Sequence, residues 1–314
     1  MSKRVLVTAP YMQPVIDRFR PRFDAHDIEL VVPPVDERLT EIELLEWVGD
    51  VDGIISGDDE VTKRVLESAP KLKVISKWGT GIDSIDLEEC ARRGVSVSNT
   101  PNAFTEAVAD SVMGYILCFA RQLLWMSEAL KGGEWRKIPG RALHECTLGV
   151  IGVGNVGKAV IRRANGFRMR VLGCDIKPIS WSFLGSAGVT PIGIDELLAR
   201  SHFVSINCDL NPTSHHLINE ERLAQMRPDA VIVNTARGPI IDENALVSAL
   251  DAGRIAGAAL DVFEDEPLPQ GSPLREMDNV MLAPHNANSS PAGWERVHEN
   301  TIDQLLQELE RRSE

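Results

Sequence analysis

The sequence predicts an α/β protein with two parallel sheets, each covered by helices, and three observations lead there. The first hundred residues alternate short apolar runs with helical patterns. A long apolar helical stretch then interrupts the alternation. A second alternating set follows, and its first strand runs straight into a glycine-rich turn and a helix.

Strand-like runs in the first set are Arg4 to Ala9, Ile28 to Val32, Gly53 to Ser56, Leu72 to Ser76 and Val95 to Ser98. Helical patterns lie between them, near Pro14 to Phe23, Glu41 to Val48, Thr62 to Ser68 and Leu87 to Arg93. The acids Asp36, Asp58, Asp59 and Glu60 read as solvated loop acids, since they show no metal-ligand spacing. Asn99-Thr-Pro-Asn102 breaks the pattern. From Phe104 to Lys131 the sequence reads as one helix with two apolar stripes, Phe104, Val108, Val112, Ile116 and Met113, Leu117, Ala120, Leu124. A helix apolar on more than one face is buried on more than one side, in a core, between domains or against a second subunit.

In the second set the strands are Leu148 to Val153, Val171 to Asp175, Phe203 to Cys208, Ala230 to Thr235, Ala256 to Val262 and Val280 to Ala283. Helices fall near Ile194 to Arg200, Glu220 to Met226, Glu243 to Ala252 and from Pro291 onward, while Ser180 to Ser186 shows no assignable period.

The turn is Gly152-x-Gly154-x-x-Gly157, between the apolar run Leu148 to Ile151 and a helical pattern through Val156, Val160 and Ala164. The first glycine permits the turn. The second admits a pyrophosphate to the backbone, at the positive end of the helix. The third lets helix and strand pack closely. The next strand ends in Asp175, 18 residues after the last glycine. A carboxylate there accepts bonds from the ribose hydroxyls of NAD and repels the 2′-phosphate of NADP. Turn and acid together predict an NAD site.

The chain has 314 residues, enough for two cores, and 43% of them are hydrophobic. A net charge of −13 argues against nucleic acid or an anionic membrane as the main partner. No apolar stretch reaches the ~18 residues of a membrane span, and no signal-peptide core follows Met1. Five cysteines without a C-x-x-C motif read as buried, reduced thiols in a cytoplasmic protein. His215-His216 lacks neighbours at ligand spacing, so no metal is expected.

In open α/β sheets ligands bind beyond the carboxyl ends of strands. Arg237 follows the strand ending Asn234-Thr235, Asp261 and Glu266 follow Gly257-Ala-Ala-Leu260, and His285 follows Val280-Met-Leu-Ala-Pro284. An arginine can grip a carboxylate through two bonds, a histidine can exchange a proton near neutrality, and a carboxylate can orient the imidazole and stabilise its cation. Singly each residue could be a surface partner, a loop acid or a strand-closing side chain. Together, beside a dinucleotide site, they form the set needed to move a hydride and a proton at a 2-hydroxy or 2-oxo acid.

These pieces carry a resemblance that spans nearly the whole chain. Gly79-Thr-Gly-Ile-Asp-Ser-Ile-Asp86, Asn99-Thr-Pro101, Gly152 to Gly157, Asp175, Asn234-Thr-Ala-Arg-Gly238, Asp261-Val-Phe-Glu-Asp-Glu-Pro267 and Pro284-His285 resemble the D-isomer-specific 2-hydroxyacid dehydrogenases, particularly phosphoglycerate dehydrogenases. The resemblance implies Arg237, Glu266 and His285 as catalytic residues. It implies cofactor contacts at Thr80, Asn155, Val156, Asp175, Cys208, Thr235, Asp261 and Asn288. It also implies a loop, Trp78, Gly79, Thr80 and Gly81, whose N–H groups meet the substrate carboxylate. The implied architecture is a Rossmann-type NAD domain over residues 101–285 and a flavodoxin-like substrate domain over 1–100 and 286–314, with a cleft between them. Lys77, beside the loop, reads as an exposed solvated lysine rather than a phosphate contact.

The sequence also departs from the family. Asp110 stands where glutamate is common, Cys208-Asp209 replaces a polar-proline pair, and Asn286 to Ser290 replace an apolar-glycine pattern. The regulatory domain of longer phosphoglycerate dehydrogenases has no counterpart before Glu314, so serine feedback of that kind is not expected. The expected protein is an NAD-dependent, homodimeric oxidoreductase acting on a small D-2-hydroxy acid, of 3-phosphoglycerate or glyoxylate/hydroxypyruvate type. The rival reading is a dinucleotide-sensing binding protein like the corepressors of the same superfamily.

Overall fold

A computed structural model describes residues 2–312. Met1, Ser313 and Glu314, which bound the expected domains and the last helix, lie outside the described residues. The chain divides into two compact units, Met1–Ala103 with Ser290–Glu314, and Phe104–Ser289. The division falls three to four residues after the sequence-derived boundaries.

The first unit holds five parallel strands, β1 (Lys3–Val7), β2 (Ile28–Val31), β3 (Gly53–Ser56), β4 (Val74–Lys77) and β5 (Ser96–Ser98), in the order β2-β1-β3-β4-β5. Val5, Leu6 and Val7 are fully buried and so are all four residues of β3, as expected of strands covered on both faces. The helix Pro291–Arg311 belongs to this unit. The Ser290 side chain caps it by accepting from Gly293 N–H, and its Leu305, Leu306 and Leu309 are buried. Each buried leucine contributes roughly 1.5–3 kcal/mol. Leu305 would lie 3.2 Å from a Cβ on Gly53, so the helix packs tightly over the start of β3.

The second unit holds seven parallel strands: β6 (Thr147–Ile151), β7 (Arg170–Cys174), β8 (Thr190–Pro191), β9 (Phe203–Ile206), β10 (Val231–Asn234), β11 (Gly257–Leu260) and β12 (Val280–Leu282). Their order is β12-β11-β10-β9-β6-β7-β8, so the winding reverses between β6 and β9. The strands end one or two residues earlier than the apolar runs suggested. Asp175, Thr235 and Asp261 therefore stand just past the last strand residue.

Two expectations fail here, and one stretch without an assignment takes a structure. The stretch Phe104 to Lys131 is two helices, Thr105–Arg121 and Leu123–Lys131, bent by 59°. Gln122 between them is left-handed, with φ 57°, and its amide donates to Phe119 O at 2.8 Å. Val112, Met113, Ile116, Phe119 and Ala120 bury the first helix, whereas the second has no buried residue. Ser180 to Ser186 folds as the helix Trp181–Ala187. Asp59 is not a solvated acid. It is fully buried and accepts from Leu39 N–H at 2.8 Å, Gly57 N–H at 3.0 Å and Thr8 Oγ1 at 2.5 Å, and burial raises its pKa.

All five cysteines are free thiols. His216 pairs with Glu264 at 2.7 Å, and no cluster of three metal-ligating side chains occurs among the described residues. Among the described residues no single helix is long and apolar enough to cross a membrane.

Candidate active site

At the glycine turn, Gly152 has φ 86°, and a Cβ there would lie 2.6 Å from Cys208 N. A Cβ on Gly157 would lie 2.0 Å from Gly152 O, so only glycine lets the helix Asn155–Gly166 pack this closely on β6. Gly154 differs: nothing lies within 4 Å of its Cβ position. The first ladder bond of the helix is Lys158 N–H to Gly154 O, which leaves the turn before it pointing its N–H groups along the helix axis. Val156 is half-buried at that end, and Asn155 is exposed.

Asp175 is fixed by backbone. One carboxylate oxygen accepts from Val153 N–H at 2.7 Å, the other from Lys177 N–H at 2.8 Å. Each oxygen keeps a lone pair for a ribose hydroxyl. A cavity of about 320 Å3 adjoins this carboxylate, lined by Gly173, Ile176, Pro178, Ile179 and Ile192. Sequence reasoning missed that cavity; the proline-bearing segment Ile176 to Ile179 after the acid was its only trace. The open space at Gly154, the helix end, the oriented acid and the cavity beside it, which Lys177 also lines, together fit a dinucleotide. Cys208, behind the turn, is no nucleophile, because burial pushes its thiol up to about 11.

Arg237, Glu266 and His285 follow β10, β11 and β12, three neighbouring strands. Asn234 shapes the first of these turns. Its side chain accepts from Ala236 N–H at 3.0 Å and donates to Arg237 O at 2.9 Å. Thr235 lies half-buried in the same turn. A Cβ on Gly238 would lie 1.9 Å from the Phe263 carbonyl, so the arginine turn rests directly on backbone beyond β11.

The histidine turn is held from below by Asp261, which is 1% exposed. Its oxygens accept from Asn286 and Ala287 N–H, both at 2.8 Å, and its carbonyl accepts from His285 N–H at 2.8 Å. Burial raises the Asp261 pKa. His285 itself has φ 49°, a left-handed conformation that costs roughly 1 kcal/mol or more for a residue with a Cβ, and these bonds offset it. The departures at Asn286 and Ala287 thus contribute through their backbone, while Asn288 is half-buried in the same turn. His285 Nδ1 meets Glu266 Oε2 at 2.9 Å, and Glu266 Oε1 accepts from Phe263 N–H at 2.9 Å. With Nδ1 bound to the carboxylate, Nε2 is the ring atom directed to proton exchange.

In the first unit, the loop after β4 differs from expectation in two respects. Trp78 is 4% exposed, its backbone N–H donates to Ser56 O at 2.8 Å, and its indole donates to His298 Nδ1 at 2.9 Å. Both of its donors are engaged within the unit, which leaves Gly79, Thr80 and Gly81 as the donor set. Lys77 is not solvated but 3% exposed, and its ammonium pairs with Asp58 at 3.2 Å.

A glycine turn at the point where the winding reverses, with an oriented acid and a histidine–carboxylate pair on neighbouring strand ends, defines a dinucleotide-dependent dehydrogenase. Residues 113–287 match the family described as D-isomer specific 2-hydroxyacid dehydrogenase, NAD binding domain. The chain is 35% identical to a glyoxylate reductase of Korarchaeum cryptofilum, over 98% of this chain and 92% of that one. It is 42% identical to a D-3-phosphoglycerate dehydrogenase of Methanocaldococcus jannaschii, over 80% of this chain and 48% of that one. A D-lactate dehydrogenase from Aquifex aeolicus, solved with NAD and lactic acid, superposes with a TM-score of 0.87, covering 98% of both chains at 27% identity. The protein belongs to the D-isomer specific 2-hydroxyacid dehydrogenases. It is an NAD-dependent oxidoreductase that interconverts 2-hydroxy and 2-oxo acids, and this reading fits better than that of a dinucleotide sensor.

Proposed function

We propose that the protein interconverts a short D-2-hydroxy acid and its 2-oxo acid, of glyoxylate or hydroxypyruvate type, through Arg237, Glu266 and His285. The observation that carries this reading is the 2.9 Å pair between His285 Nδ1 and Glu266. Bound NADH supplies the hydride. Arg237 holds the substrate carboxylate and polarises the carbonyl oxygen on which negative charge develops. His285, as imidazolium, gives its Nε2 proton to that oxygen, and Glu266 orients the ring and stabilises its charge. The N–H groups of Gly79, Thr80 and Gly81 are a second donor set for the carboxylate. Asp175 takes the ribose hydroxyls of NAD, with Thr80, Cys208, Thr235, Asp261 and Asn288 as further cofactor contacts.

The test is oxidation of NADH with a panel of 2-oxo acids, together with NADH fluorescence titration. His285→Gln is expected to lose about 10²–10⁴-fold in turnover while binding NADH normally. Near-native turnover would remove the histidine from the mechanism.

The same reading includes a homodimer in the cytoplasm. The helix Leu123–Lys131 has no fully buried residue and is anchored by the half-buried Trp125 against Phe119, while Leu123, Leu124, Leu130 and Trp135 are 42–91% exposed, an apolar face suited to a second copy. A monomer at high micromolar concentration in sedimentation would overturn the dimer.

A further inference from the structure

The carbonyls of the loop after β4 are engaged one after another. Trp78 O accepts from Lys77 Nζ at 3.0 Å, Gly79 O from Thr100 N–H at 2.8 Å, and Thr80 O from Asn99 Nδ2 at 2.5 Å. Thr80 Oγ1 closes the set by donating to Thr100 O at 3.0 Å. In a planar trans peptide the carbonyl and the N–H of the next residue point in opposite directions. Holding the carbonyls of 78, 79 and 80 against the scaffold therefore turns the N–H groups of Gly79, Thr80 and Gly81 away from it. None of the three has an acceptor among the described residues.

Two of these three ties come from the segment Asn99-Thr100. The first comes from Lys77, a buried ammonium held in turn by Asp58 at 3.2 Å, with Asp59 near enough to feel its charge. A buried cation needs such partners. A buried lysine whose ammonium is held by a backbone carbonyl of the loop and by the half-exposed Asp58 carboxylate is engaged in shaping the loop.

We propose that Lys77 is a positioning residue, which fixes the orientation of the Trp78–Gly79 peptide and so sets the N–H array that receives the substrate carboxylate. The inference rests on the assignment of that loop to the substrate made above. It also assigns no phosphate contact to Lys77, so a phosphorylated oxo acid gains nothing from this lysine.

The experiment is steady-state kinetics with NADH and glyoxylate or hydroxypyruvate, plus inhibition by oxalate, which presents a carboxylate without reacting. Lys77→Met removes the tie. Lys77→Met combined with Asp58→Asn removes both charges of the pair, so that the local charge balance is kept. Both are expected to raise the KM for the oxo acid and the oxalate inhibition constant by about tenfold or more, the worth of a hydrogen bond to a charged group. The KM for NADH should stay within about twofold and kcat within about threefold, a split that general loosening of the fold would not give. Gly81→Pro, which deletes one N–H, tests the underlying assignment. If Gly81→Pro weakens oxalate and the folded double variant does not, the loop binds the acid and Lys77 does not position it. If neither variant moves oxalate binding, the assignment of the loop falls, and the role of Lys77 with it.

Discussion

The turn Gly152–Gly157 and the loop Gly79–Gly81 both follow a parallel strand, and both turn backbone N–H groups outward, but they are held by different means. In the second unit a helix does the work. Its axis orients the N–H groups, and the close approach of Gly157 to Gly152 O fixes the turn. In the first unit the loop does not run straight into a helix: the helix Pro291–Arg311 holds Trp78 from the side through His298, and each carbonyl is tied separately, by Lys77, Thr100 and Asn99. The comparison teaches that one requirement, oriented donors for an anion, can be met by secondary structure or by individual bonds. The second solution is more exposed to single substitutions that change no glycine.

The largest effect that would break the comparison is expected at Gly157. An alanine there puts its Cβ 2.0 Å from backbone oxygen, an overpacking that should cost roughly 1–3 kcal/mol of stability and lower the melting temperature, with NADH binding weakened as the turn shifts. Gly154→Ala meets no atom of the protein, so its melting temperature should be unchanged while NADH titration weakens. Loss of stability at Gly154, or none at Gly157, would show that the turn is not helix-backed as described.

Next in size is Glu266→Gln. It keeps the shape of the pair but removes the negative charge facing His285. Reduction needs the charged ring and weakens as pH rises, while oxidation needs the neutral ring and strengthens. Both profiles should move to lower pH, with turnover falling about 10–50-fold. Unmoved profiles would leave Glu266 a structural acid.

Asp175→Ser should narrow the preference for NADH over NADPH by about fivefold, the worth of one hydrogen bond. Equal use of NADPH by the unaltered protein would sink the role of Asp175.

The smallest effect concerns the first unit alone. Glu89 is held down to about 2 from an ordinary 4.5, first by its hydrogen bond to Arg92 and then by Arg93. A depressed carboxyl stabilises the fold fully above its ordinary value and loses that contribution as pH falls toward 2. Glu89→Gln should therefore lower the melting temperature slightly at pH 7 and flatten its fall between pH 4.5 and 2. A parallel pair of curves would refute this.

Legibility follows the same division. Buried parallel strands are continuous apolar runs, so nearly every strand could be read, and a motif confined to six residues announced the dinucleotide turn. The places of Arg237, Glu266 and His285 beyond β10, β11 and β12 could be read because strand ends are visible. Asp59 and Lys77 were misread as solvated, since the donors around Asp59 come from Thr8 and Leu39, far apart in sequence. The bend at Gln122 was hidden because no glycine or proline marks it and the apolar stripes continue across it.

The first unit is assembled from two stretches of chain, with all of the second unit inserted between Ala103 and Ser290. This has a consequence in time. Ribosomes add about 5–20 residues per second, so roughly 10–40 s pass between the last strand of the first sheet and the helix that covers it. During that interval the floor later closed by Leu305, Leu306 and Leu309 is bare, while the second unit can already fold behind it. Nascent chains arrested before residue 290 should be protease-resistant in the second unit and cleaved in the first. Equal resistance of both would mean that the first sheet stands without its late helix.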